Sequence, residues 1–174
     1  MKKRIPRTYL GSIVLGLNDA LVELTGALAG LTLAFADSRI ILISGFITGF
    51  AASLSMAGSE YLSTKAECLH STVDRKKGLC KSPSSAAIYT GIAYFFTVLF
   101  LLFPYLLLSN VFHALGWTLV NAVIVIAVFT YFASIERGES YIHRFFEMLA
   151  ISMGVAVISF GMGYLIRVFV GVGV

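Results

Sequence analysis

The chain has 174 residues, 58% of them apolar and 13% charged, about half the ~25% charged share of an ordinary soluble domain. With a mean hydropathy of +0.89, it has too few charges to cover a water-exposed surface. That excludes a soluble domain and indicates an all-α integral membrane protein. The formal charge of +4 does not indicate nucleic acid, because the basic residues sit in short stretches between apolar runs, where membrane topology accounts for them.

Five stretches reach the ~20 residues that a helix needs to cross a bilayer core. In chain order they are Thr8–Ala36, Ile40–Thr64, Ser85–Leu108, Val111–Ser134 and Phe145–Val170. They far exceed the ~10 alternating residues of a barrel strand. No repeat, low-complexity stretch or linker divides them, so residues 1–174 read as a single five-helix transmembrane domain. The basic start, Met1–Arg7, with Ala27-Leu28-Ala29 downstream, has features of a secretory signal. Asn18, Asp19 and Glu23 interrupt that apolar run, and it continues to Ala36, so it is expected to stay as the first helix. All but Arg39 and Arg167 of the 13 Lys and Arg residues then fall on one side of a five-pass chain. The positive-inside rule puts the N-terminus in the cytosol and the C-terminus outside or in a lumen. The cell membrane is the expected location, an organelle membrane the alternative.

Acids inside a spanning helix cost ~2.5–3.5 kcal/mol each on insertion scales. The first helix carries Asp19 and Glu23, and the second carries Glu60 near its cytosolic end. The short turn Asp37-Ser38-Arg39 makes these two helices an antiparallel hairpin. Asp19 and Met56 each lie about 26 Å along their helices from that turn, with Glu23 and Ser53 one turn nearer to it. Gly16, Asp19, Glu23, Gly26 and Gly30 recur at helical spacing, as do Gly45, Gly49, Ala52, Met56, Ser59 and Ser63. Small-residue seams of this kind are first of all packing features. They are expected to bring the two helices close together with the acids facing inward. Two carboxylates and a thioether suit Fe²⁺ or Mn²⁺ better than an all-oxygen Mg²⁺ site. Burial penalises the charged form of a carboxylate, so protons compete with the metal, the chemistry of a proton-coupled transporter.

Other groupings are weaker. Cys68, His70, Asp74 and Cys80 share one loop on the expected cytosolic side, but their spacing fits no zinc pattern. Two cysteines are too few for a disulfide framework, and in a reducing compartment both are expected as free thiols. Glu136, Glu139, His143 and Glu147 recur at helical spacing after the fourth span, either as a metal ladder or as the solvated face of a juxtamembrane helix. Asn121 and Pro104 mark a polar contact and a kink. The chain has no P-loop, dinucleotide fingerprint, nucleophile elbow or HExxH motif, so it is not expected to be an enzyme or to carry a resident cofactor.

Leu15-Gly16-Leu17-Asn18-Asp19-Ala20-Leu21-Val22, followed by Gly26 and Gly30, resembles the opening helix of the vacuolar iron transporter family, which carries a Gly-x-Asn-Asp-Gly-type signature there. Ser55-Met56-Ala57-Gly58-Ser59-Glu60-Tyr61-Leu62-Ser63 resembles that family's second-helix signature, Ser-Met-x-x-Gly-Glu-Tyr-x-Ser. The Gly-rich last helix, ending Phe160-Gly161-Met162-Gly163-Tyr164-Leu165, is similar as well. The resemblance implies a homodimer whose first helices line a pathway exporting Fe²⁺ or Mn²⁺ from the cytosol in exchange for protons. In-membrane metal ligands would map onto Asp19 and Met56, with the signature Glu on Glu60 and Glu23 as an extra acid in the pathway. Ala20 and Ser59 replace family glycines. Ala66–Ser84 is too short for the Glu-rich metal-binding domain of well-known members, leaving Glu139 and His143 as the candidates for cytosolic metal capture. Two alternatives carry different functions: a small proton-coupled exporter of organic cations using Glu23, and a non-transporting membrane scaffold or metal sensor. Few aromatic residues flank Glu23 in sequence, whereas an organic cation favours aromatic faces.

Overall fold

The computed structural model describes residues 9–70, 80–137 and 140–170. They form five helices: α1 (Leu10–Phe35), α2 (Ser38–His70), α3 (Pro83–Leu107), α4 (Val111–Arg137) and α5 (Tyr141–Val170). All five are long and apolar enough to cross a membrane, where helices satisfy every backbone N–H and C=O internally. Among the described residues there is no strand. The α2 helix continues past the expected Thr64 to His70, and α5 begins at Tyr141 rather than Phe145. Hydropathy marks where apolar character stops, but a backbone with helix formers such as Lys65, Ala66 and Glu67 continues into the headgroup layer. The expected start of α1 at Thr8 lies outside the described residues.

Side-chain caps build the two tight turns. Asp37 Oδ1 accepts the N–H groups of Arg39 and Ile40 at 2.8 and 3.2 Å and so starts α2. Asn110 Oδ1 accepts those of Phe112 and His113 at 3.0 and 3.1 Å and starts α4. Each side chain satisfies donors that the first helical turn leaves without partners. Pro83 occupies the first turn of α3, where its missing N–H has no consequence. Ser38 Oγ donates to the carbonyls of Leu108 and Ser109, both at 3.2 Å, which ties the two turns together at one end of the bundle.

The first helix is the centre of the molecule. It packs against each of the other four; half of its most apolar window is buried, against 17% for α5. Ala20, Leu21, Leu24 and Leu28 of α1 are at most 1% exposed and join Ile41, Val98, Leu101 and Ile126 in the core. The opposite surfaces of α2 to α5 present Phe, Ile and Leu side chains outward, as lipid contact requires. Two buried threonine hydroxyls tie the core together: Thr32 meets Tyr105 Oη at 2.6 Å, and Thr118 donates to the Leu101 carbonyl at 2.9 Å. Asn121 Nδ2 makes its polar contact with the Phe100 carbonyl at 3.4 Å.

A close helix crossing joins α1 to α5. A Cβ on Gly30 would stand 2.8 Å from the Ser159 carbonyl oxygen, and one on Gly163 would overlap the Gly30 carbonyl. Both obstacles are backbone, which moves only if the helices separate. Gly30→Ala should therefore cost about 1–3 kcal/mol, read as a lowered melting temperature in detergent. Gly116→Ala is the control, since its Cβ meets nothing within 4 Å. Equal melting of the two variants would show that the α1–α5 crossing tolerates a methyl group at Gly30.

Candidate functional site

Asp19 and Glu23 lie one turn apart in the middle of α1, close enough for their charges to act on each other. Neither is buried in the single chain; Asp19 is half-covered and Glu23 is exposed. Tyr94 on α3, only 1% exposed, donates its hydroxyl to Glu23 Oε2 at 2.7 Å. The acids sit between two sets of glycine contacts. Gly16 underlies Thr90 of α3, while Gly26 and Gly30 underlie Val155 and Ser159 of α5.

This corrects the expectation that the glycine seams of α1 and α2 face each other with both acids turned inward. On α2, Gly45 receives Leu102 of α3 and Leu28 of α1, and Gly49 receives Val98 of α3. A branched apolar side chain fills a glycine notch with van der Waals contact, and such packing drives association in lipid. Seam spacing identifies notches without identifying what fills them.

Met56 is half-buried against the core, and Glu60 is 9% exposed. Ser12 Oγ donates to Glu60 Oε1 at 2.6 Å, so this carboxylate is held within the bundle rather than left in the headgroup layer. The pairings Ser12–Glu60 and Leu28–Gly45 set the α1/α2 register. Continued along the hairpin, that register puts Ser53 or Leu54 opposite Asp19. Met56 therefore lies about 4 Å nearer the Glu60 end than Asp19 does, less than one turn. Two further polar groups converge on Ser12. Thr90 Oγ1 donates to its carbonyl at 2.9 Å, and the Lys81 ammonium approaches its hydroxyl at 3.5 Å.

The remaining candidates separate. Cys68 and Cys80 are joined in a disulfide, not present as free thiols. The packing of α2 on α3 brings their Cα atoms within 5.6 Å, a proximity invisible in a separation of 12 residues. His70 lies at the end of α2, and Asp74 lies outside the described residues. The supposed ladder does not occupy one helix: Glu136 belongs to α4, His143 and Glu147 are exposed on α5, and Glu139 lies outside the described residues. Among the described residues no three His, Cys, Asp or Glu side chains converge as a metal site.

Sequence reading missed Tyr94, Ser12 and Lys81. A tyrosine inside a spanning helix is a signal in principle, since its buried hydroxyl requires a partner. Ser12 and Lys81 carry no comparable mark. Tyr94 also supplies the aromatic neighbour that Glu23 lacks in sequence, but approaches through its hydroxyl.

In single-chain terms the site is a pair of acids in the middle of α1, a nearby thioether, and a buried carboxylate linked by one hydroxyl to an ammonium. No curated relative matches the chain. The sequence model of the VIT family matches residues 10–79 and 69–164, which span all of α1 to α4 and most of α5. The chain thus belongs to the vacuolar iron transporter family, whose members are membrane metal-ion transporters and not enzymes.

Proposed function

We propose that this protein exports Fe²⁺ or Mn²⁺ from the cytosol in exchange for protons, as a homodimer with the α1 helices beside its axis. One observation supports this above the others. Asp19 and Glu23 stand mid-span on the central helix, yet their own chain leaves them incompletely covered. Lipid contact with two acids is expensive, and a second copy facing the same strip of α1 removes it. Two copies of Asp19, Glu23 and Met56 then replace much of an ion's hydration shell, a donor set that one chain does not complete. Glu60 guards the end at which the basic residues place the cytosol; the exposed His143, together with Glu139, collects metal there. Metal binding displaces protons from carboxylates, so an acidic far side drives export and protons return to the cytosol.

The test is flux in proteoliposomes under an imposed pH gradient, with Fe²⁺, Mn²⁺ and an organic cation as alternative substrates. Metal uptake with opposite proton movement is the expected result. Transport of the organic cation alone assigns Glu23 to that chemistry instead, and no flux of any substrate returns the chain to a scaffold or sensor.

Tyr94→Phe keeps the ring and removes the donor to Glu23. Its carboxylate is exposed and finds other partners, so the apparent KM for metal should rise only by roughly 2–5-fold. An unchanged KM would mean that Tyr94 serves packing alone.

A further inference from the structure

The three residues before α3, Cys80 to Ser82, reach the candidate pathway. Cys68 lies about two turns beyond Glu60 on α2, and its bond to Cys80 holds the start of the next segment beside the first turns of α1. There Lys81 Nζ approaches Ser12 Oγ at 3.5 Å, and the Ser82 N–H donates to Tyr9 Oη at 3.3 Å. Ser12 in turn donates to Glu60. A single hydroxyl therefore separates an ammonium from the buried carboxylate at the mouth of the proposed pathway. The positive-inside rule assigns this end to the cytosol, where a disulfide is typically transient and redox-sensing rather than structural.

We propose that Cys68 and Cys80 form a reversible thiol–disulfide site that latches Lys81 over the Ser12–Glu60 pair and so controls metal access. The control of access, though not the latch, rests on the transport reading above. The reductant is a monothiol of the glutathione type. One thiolate attacks either sulfur, forms a mixed disulfide and expels the other cysteine as thiolate. A second monothiol attacks the mixed disulfide, releasing the remaining cysteine and the oxidised monothiol dimer. Two electrons pass to the cysteine pair, and protons from the two monothiols complete the thiols. Oxidised glutathione reverses both steps. In the oxidised form the Lys81 charge sits one hydroxyl away from Glu60, where it opposes an arriving dication. Reduction removes the covalent tether, and the long lysine stem moves away into solvent.

Full-length protein in proteoliposomes, poised with reduced or oxidised glutathione, tests this in two ways. Amine-reactive labelling of Lys81, measured by peptide mass spectrometry against exposed Lys65, should rise at least about threefold on reduction. Cys68→Ser should show the high labelling in both poises. Initial Mn²⁺ flux at subsaturating metal should be about fivefold lower in the oxidised form, and Lys81→Gln should abolish that difference with the disulfide intact. Equal Lys81 labelling in the two poises overturns the latch, as does a disulfide that reduced glutathione leaves intact. A flux difference that survives in Lys81→Gln overturns the role of the ammonium. Absence of flux in every poise defeats the transport reading and the control of access, while the labelling ratio still decides the latch.

Discussion

Asp19→Asn is expected to abolish metal flux while leaving the bundle assembled. The substitution preserves size and polarity, and Asp19 is only half-covered with no hydrogen bond that the change would break. What it removes is a charge at the centre of the central helix. An amide offers a dication one weak carbonyl donor in place of a carboxylate, and it has no proton to exchange. In a two-fold assembly the loss occurs twice around one pathway. A fall in initial rate of roughly two orders of magnitude or more is expected, corresponding to at least about 2.7 kcal/mol. Glu23→Gln should cost less, because Tyr94 already engages that side chain. Size-exclusion profile and melting temperature should match the parent. Parent-rate transport of Fe²⁺ and Mn²⁺ by Asp19→Asn under the same pH gradient would remove Asp19 from the site.

Met56→Leu should raise the apparent KM for metal about tenfold, the equivalent of ~1.4 kcal/mol. Leucine matches methionine in volume, and swaps of this kind in packed interiors usually cost below about 1.5 kcal/mol of stability. Met56 is half-buried against the core, so the packing change is small and the loss of sulfur is the main variable. A thioether favours softer transition metals over hard ones. The KM penalty should consequently be larger for Fe²⁺ than for Mn²⁺. Equal, small changes for both metals would assign Met56 to packing and leave the carboxylates as the whole ligand set.

The resemblance over the first two helices and the coarse function were legible in the residues because their signals are local. A spanning helix is recorded in the composition of some twenty neighbours, and an acid within it stands out against that background. The caps at Asp37 and Asn110 are local too, since an N-cap involves only the next few residues, although sequence reading marks Asp37 only as part of a turn and does not single out Asn110. Helix ends were read less well, with α2 running on to His70, because hydropathy and backbone helicity stop for different reasons.

What the amino-acid sequence determined by itself is therefore the membrane class, five spanning helices, and the depth of Asp19 and Glu23 along the first of them. Tertiary structure decided which surfaces meet. It put α1 at the centre, sent the glycines of α1 to α3 and α5 and much of the α2 seam to α3, and brought Tyr94 to Glu23 across 71 residues of chain. It also joined Cys68 to Cys80 and set Lys81 beside Ser12. Helical periodicity defines a face but not the neighbour that covers it. In lipid, where apolar surface has no general preference for one helix over another, close packing and a few polar contacts select that neighbour.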